Sequence, residues 1–252
     1  SMDKLYEELK NDNYEYRDID NINLNKVFDF KEIELKNVSF SYTDKKKPIL
    51  SLINLKIIEG EKIGFLGETG SGKTTLVNLI SGLVEPTDGE ILINGENINK
   101  NLKIWQNNIG YVSQSIYLAD ESFEFNISFK NPDKKKNMDR INHLIDILGL
   151  KTFINSQIDG LSTKVGEKGI KISGGQLQRI GIARALYSQP NFLILDEATN
   201  ALDLETQDLV INNIYKEMDN KTVLSISHDI NALQKCSKIF KIIDNKLEIV
   251  KK

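Results

Sequence analysis

The sequence predicts an α/β domain built on a mainly parallel central sheet. Three observations carry this. Strand-like and helix-like segments alternate along most of the chain. The short apolar run Lys62-Ile63-Gly64-Phe65-Leu66 passes directly into a glycine-rich loop and then into a helical pattern. A second apolar run, Phe192-Leu193-Ile194-Leu195, ends on two adjacent carboxylates, Asp196 and Glu197.

Taken in order, residues 1–31 are polar and rich in Asn and Asp, with a brief helical hint at Leu5, Tyr6 and Leu9. They read as a linker or tail. From Glu32, Ile33 and Leu35 alternate as in a strand, and Val38 and Phe40 continue roughly in kind. Leu52 to Ile58 gives another strand. After the glycine loop, Leu76, Val77, Leu79, Ile80 and Leu83 recur at helical spacing. Glu90 to Asn94 and Ile109 to Ser113 read as strands. From about 115 to 175 the chain changes character and reads as a helical insert. Ile141, Leu144, Ile145 and Leu148 mark an amphipathic helix there, flanked by loops rich in Lys and Asn. A helix carrying Leu177, Ile180, Ala183 and Leu186 follows Gly174-Gly175. Thr222 to Ile226, Lys238 to Ile243 and Leu247 to Val250 are later strands, and no internal repeat is present.

At 252 residues with 40% hydrophobic, the chain can bury the core of one large domain or of a domain with a subdomain. A net charge of −3 leaves no footprint for nucleic acid. The runs Lys45-Lys46-Lys47 and Lys134-Lys135-Lys136 read as solvated loop tips. Cys236 is the only cysteine, which excludes an internal disulfide and a cysteine-built metal site. It reads as a small buried or half-buried hydrophobe. No apolar run approaches membrane-spanning length and no signal peptide is visible. The opening Ser1-Met2 resembles a cloning scar, so a piece of a longer protein is expected.

Gly67-Glu68-Thr69-Gly70-Ser71-Gly72-Lys73-Thr74 matches G-x-x-x-x-G-K-[ST], with a strand before it and a helix after. Glycines let the backbone wrap phosphate oxygens, so that several N–H groups point inward. The helix start, running through Thr75, adds partial positive charge. Lys73 brings a full charge to the β- and γ-phosphates, and the Thr74 hydroxyl can ligate Mg²⁺. Binding of Mg·ATP follows, but such loops serve GTPases, kinases and motors alike.

Two further motifs narrow the class. Asp196, at a strand end, suits a carboxylate associated with Mg²⁺, and Glu197 suits a base that polarises attacking water. Ser173-Gly174-Gly175-Gln176 opens a second helix with anion-binding character. Two phosphate-binding helix starts are hard to place on one ATP within one protomer. They make sense if each protomer lends the second to the ATP of a partner.

With these residues in view, Ile172-Ser173-Gly174-Gly175-Gln176 resembles the signature of ATP-binding cassette proteins, which usually begins with Leu. Gly67–Thr74 is then similar to their Walker A motif and Phe192–Asp196 to Walker B. The resemblance covers about residues 32–250, the expected ATPase domain. It implies a P-loop NTPase (RecA-like) core with an N-terminal antiparallel β subdomain and an inserted helical subdomain carrying the signature. It implies that Tyr42 stacks on adenine and that Gln114 is the Q-loop glutamine, near Mg²⁺ and the attacking water. Ser113 stands where many relatives have Pro. Asn200-Ala201-Leu202-Asp203 is similar to the D-loop, with Asn for the usual Ser, and Asp203 is expected to cross a dimer interface. His228 is similar to the switch histidine that contacts the γ-phosphate. His143 fits no motif and reads as a helix-surface residue. The cofactors implied are ATP and Mg²⁺. The partner implied is a second nucleotide-binding domain, closing head-to-tail in a homodimer.

Thr163-Lys164-Val165-Gly166-Glu167-Lys168-Gly169 resembles the T-x-V-G-E-x-G segment of exporter-type cassettes, which faces the transmembrane domain. That implies a membrane domain fused upstream, with residues 1–31 as its connection, and a place on the cytoplasmic face of the membrane. Trp105 to Asp120, with Asn126-Ile127-Ser128-Phe129, resembles bacterial polysaccharide and lipid-linked oligosaccharide flippases. A drug, lipid or peptide exporter stays open, as do a non-transport cassette ATPase of DNA repair or translation and a nucleotide-sensing module.

Overall fold

A computed structural model describes residues 28–42, 47–68, 70–129, 136–166 and 169–251. The linker reading for residues 1–27, and Ser1-Met2, Lys45-Lys46, Thr69, Lys134-Lys135 and Glu167-Lys168, lie outside the described residues.

The first layer is a four-stranded antiparallel sheet in the order β2-β1-β4-β5, formed by β1 (Glu32–Phe40), β2 (Leu50–Ile58), β4 (Asp88–Ile93) and β5 (Glu96–Asn97). Ile33, Leu35, Val38 and Phe40 of β1 all face the core. The alternation skips a residue after Leu35 because the register slips there against both neighbours, with Asn37 at φ 49°. Such a bulge puts two residues opposite one and restores the inward phase at Val38.

The second layer is a six-stranded sheet in the order β10-β9-β3-β8-β7-β6. Its members are β3 (Lys62–Leu66), β6 (Ile109–Val112), β7 (Phe192–Asp196), β8 (Thr222–Ser227), β9 (Lys238–Ile243) and β10 (Lys246–Lys251). All pairs are parallel except β9 with β10. Every residue of β7 and β8 is buried, which explains the continuous apolar run Phe192–Leu195 of β7. The fold class predicted from the sequence is therefore the one observed.

Helix α1 (Lys73–Ile80) packs Leu76, Val77, Leu79 and Ile80 between the two sheets, in one core with Phe65, Ile194 and Leu224. Helix α2 (Leu102–Asn107) buries Trp105, whose indole N–H donates to the Ile80 carbonyl at 2.8 Å. Phe28, Phe30 and Phe192 surround that ring. Helices α3 (Phe123–Ser128), α4 (Lys136–Ile147) and α5 (Lys151–Asn155) supply a second core. It closes on α6 (Gly174–Tyr187) and α7 (Leu204–Glu217). Helices α2 and α7 go beyond the elements expected from sequence. His143 lies half exposed on the surface of α4, as expected, and there pairs with Glu217 of α7 at 2.8 Å. Arg140 binds the same carboxylate and the Leu186 carbonyl at the end of α6. Cys236 is buried as expected, with its Sγ 3.5 Å from the Tyr215 hydroxyl. No helix among the described residues is long and apolar enough to cross a membrane.

Candidate nucleotide site

The carboxyl ends of β3 and β7 and the start of α1 converge on a cleft of about 270 Å³. Tyr42, Ile49, Gly70, Gly72, Lys73, Thr74 and Thr75 line it together with Gln114, Asp196 and Glu197. A crevice outside the carboxyl ends of parallel strands is where open α/β sheets bind ligands.

Helix α1 presents its N-terminus to this cleft without a side-chain cap and without an acidic residue in its first turn. Its leading N–H groups are therefore free to meet an anion. Gly72 makes the entry possible. Its φ is 103°, and a Cβ there would lie 3.2 Å from both Ile49 and Leu50. Lys73 is only 6% exposed. Its Nζ donates to the carbonyls of Gly67 and Glu68, each at 2.7 Å. Burial lowers the pKa of this ammonium, and the charges of Glu197, Asp196 and Glu68 oppose the shift. The Ser71 hydroxyl in the same loop is buried with no hydrogen-bond partner in the protein.

Asp196 is 5% exposed. Burial raises its pKa, against the Tyr111 hydroxyl, Lys73 and Thr74, which favour the ionised form. The Tyr111 hydroxyl donates to Asp196 Oδ2 at 3.2 Å. Burial and the Asp196 charge in turn push the phenol well above its ordinary range.

Glu197 sits at φ 50°, a left-handed conformation that costs a non-glycine residue about 1–3 kcal/mol and clusters at functional sites. Its surroundings fix that conformation. Its N–H donates to the Ile226 carbonyl at 3.1 Å, and its own carbonyl accepts from Gln178 Nε2 at 3.4 Å. Its Oε2 accepts from Gln114 Nε2 at 2.9 Å and from Asn200 Nδ2 at 3.0 Å. Its Oε1 lies 3.9 Å from His228 Nδ1. The His228 side chain is 62% exposed and stands at the rim.

Tyr42 is 44% exposed and held edge-to-face by Phe40, ring centroids 4.9 Å apart, which leaves a ring face open at the cleft. Glu68 contributes its carbonyl to Lys73 and to the Ser71 N–H.

Ser173, Gly174, Gly175 and Gln176 do not line the cleft. They open α6 with a capping box, in which Ser173 Oγ accepts from the Gln176 N–H and Gln176 Oε1 from the Ser173 N–H. A hydroxyl that accepts keeps its own hydrogen to donate. The glycines allow close approach to the 200–203 loop, since a Cβ on Gly175 would meet Leu202 Cδ2 at 3.0 Å and the Ala201 carbonyl at 3.1 Å. Asp203 is also outside the cleft. Its carboxylate caps α7 through the Thr206 N–H at 2.9 Å, and that bonding holds it below the usual carboxylate range.

Sequence reasoning missed Tyr111 and Gln178. Gln178 joins the Glu197 carbonyl to the Ala201 N–H, which donates to its Oε1 at 2.9 Å. Its position two residues after Gln176 was a local signal. Tyr111 had none.

No group of three or more His, Cys, Asp or Glu among the described residues could hold a metal alone. Thr74 and Asp196, with Gln114 nearby, instead form a sparse oxygen set. That fits Mg²⁺, which takes one or two protein ligands and completes its shell with phosphates and water.

Residues 50–200 match the family described as ABC transporter. Over 220 residues the chain is 39% identical to the leukotoxin export ATP-binding protein LtxB of Aggregatibacter actinomycetemcomitans, covering 87% of this chain and 31% of that protein. It is 38% identical to the leukotoxin translocation ATP-binding protein LktB of Mannheimia haemolytica, covering 87% of this chain and 30% of that protein. The chain thus spans about a third of the length of these relatives. A solved structure described as a bacterial Atm1-family ABC exporter with ATP bound superposes with a TM-score of 0.81 at 27% identity, over 88% of this chain and 39% of that one.

Proposed function

The chain belongs to the ABC transporter family, and from that premise we propose that it is the ATP-hydrolysing motor of an exporter, acting as two copies closed head-to-tail on two ATP. One observation carries the reading. Glu197 is held by Gln114 and Asn200 and faced by His228, in the same cleft as Lys73.

In this reading Tyr42 stacks on adenine and the Gly67–Thr75 segment wraps the phosphates, with Thr69 included by its place in the motif. Lys73 exchanges its two carbonyl partners for phosphate oxygens. Thr74, Asp196 and Gln114 would hold Mg²⁺, which would supply positive charge against the phosphates. Glu197 accepts a proton from water through Oε1, since Oε2 already accepts two amide donors. His228 swings from the rim onto the γ-phosphate and stabilises charge that develops there. Ser173 and Gly175 of the second copy close the site, which their place outside this copy's cleft supports. Residues 1–31 connect to a membrane domain, in accord with the fraction of each relative that the chain covers.

The test is ATPase rate against protein concentration. A site completed by a second copy gives a specific activity that rises with concentration; a constant specific activity would overturn the two-copy reading. For the cargo we propose a lipid-linked oligosaccharide or polysaccharide, on the resemblance of Trp105–Asp120 and Asn126–Phe129. A polypeptide cargo is the second reading, favoured by the leukotoxin exporters among the relatives. Stimulation of the reconstituted full-length ATPase by one class and not the other separates them.

A further inference from the structure

We propose that Tyr111 is a positioning residue for the metal-binding carboxylate Asp196, an inference that rests on the role given to Asp196 above.

The argument begins with sheet register. β6 and β7 run parallel, with Tyr111 beside Ile194 and Val112 beside Leu195. Side chains alternate along strands, so Tyr111, Ile194 and Asp196 share one face, and Val112 and Leu195 the other. Core membership agrees. Ile194 packs with Leu76 and Val77 of the phosphate-loop helix, while Val112 and Leu195 pack with the helical region. Tyr111 therefore stands on the nucleotide side of the sheet. It reaches past Ile194 to donate its hydroxyl hydrogen to Asp196 Oδ2 at 3.2 Å.

A carboxylate with one oxygen engaged has lost most of its freedom to rotate. Asp196 shares the cleft with Lys73 and Thr74 of the phosphate loop. An outer hydrogen bond of this kind fixes a ligand's orientation and typically changes metal affinity. The strand that places Tyr111 on Asp196 continues into Gln114, which binds Glu197. β6 and the residues just after it thereby hold both carboxylates of the site.

The test is Tyr111→Phe, which keeps the ring and removes the donor. Three quantities are measured: ATP affinity without divalent cation, thermal melting, and the affinity for Mn²⁺ at saturating non-hydrolysable ATP, read by electron paramagnetic resonance. The first two should be unchanged, and Mn²⁺ should bind about tenfold more weakly, roughly the effect of losing one outer-shell hydrogen bond. Unchanged Mn²⁺ affinity overturns the proposal. So does a parallel loss of metal-free ATP affinity, which would mark a general structural role. Asp196→Asn run alongside separates the two levels. If it too leaves Mn²⁺ affinity intact, the metal role of Asp196 fails. If it weakens Mn²⁺ and Tyr111→Phe does not, the Tyr111 inference alone fails.

Discussion

Replacing Glu197 with Gln tests the assignment of the base most directly, because the structure dictates how the new side chain sits. Two amide donors converge on Oε2, from Gln114 at 2.9 Å and Asn200 at 3.0 Å. A glutamine must offer its carbonyl oxygen there, since its amide nitrogen would face two donors. Its NH₂ is then forced into the position of Oε1, 3.9 Å from His228 Nδ1. Shape and hydrogen bonding survive, but the proton acceptor becomes a donor. Loss of a positioned general base costs about 10²- to 10⁴-fold in rate, or roughly 2.7–5.4 kcal/mol of barrier at about 1.36 kcal/mol per tenfold. Binding of ATP should be unchanged and the closed pair should accumulate. Phosphate release, nucleotide titration and size-exclusion chromatography with ATP read the three outcomes. A variant that turns over within about fivefold of the parent, well under the range for general base catalysis, refutes the role.

Lys73→Ala should weaken ATP binding about 10- to 100-fold, the scale of one charge-assisted contact, measured by nucleotide titration. Asn200→Ala leaves Gln114 alone on Glu197 Oε2, so kcat should fall by about three- to tenfold with little change in KM. Glu217→Gln tests the contact of α4 with α7. Burial pushes the Glu217 carboxyl up, but hydrogen bonds and charge from His143 and Arg140 outweigh it and leave the pKa lowered. A lowered carboxylate contributes stability above its unfolded pKa of about 4.3, and that contribution disappears as pH falls through the folded value. The variant should therefore be less stable than the parent at neutral pH, by about 1–3 kcal/mol, with the gap closing in acid; a pH-independent gap in urea unfolding would exclude this account.

The parts of the site legible in the sequence are those whose chemistry is local. A glycine loop between strand and helix, or carboxylates at a strand end, announces itself within about ten residues. Parts built across the sheet are not legible. The bond from Tyr111 to Asp196 joins residues far apart in sequence, and only the β6–β7 register brings them together. Helix α7 escaped for another reason. Its buried stripe is only Val210, Ile211 and Ile214, and its capping Asp203 had already been read as part of a loop motif. The bulge in β1 broke an alternation that the sequence showed as merely irregular, because the sequence does not reveal where a partner strand slips.

The placement of Gln178 bears on how two such sites would communicate. Helix α6 is capped by Ser173, outside this copy's cleft, where the reading above places the ATP held by the other copy. Within its second turn the same helix carries Gln178, which binds the Glu197 carbonyl and the Ala201 N–H. Ala201 and Leu202 lie against Gly174 and Gly175, and Asn200 reaches back to Glu197. In that reading, a helix segment of one and a half turns would join the contact with one ATP to the base acting on the other. Glu197 is held at a costly φ by a few hydrogen bonds, so a small displacement of α6 suffices to realign it. If ATP closes between two copies, occupancy of either site must therefore bias the geometry of the base in the other, and the pair should hydrolyse ATP cooperatively even though neither copy contains a complete site.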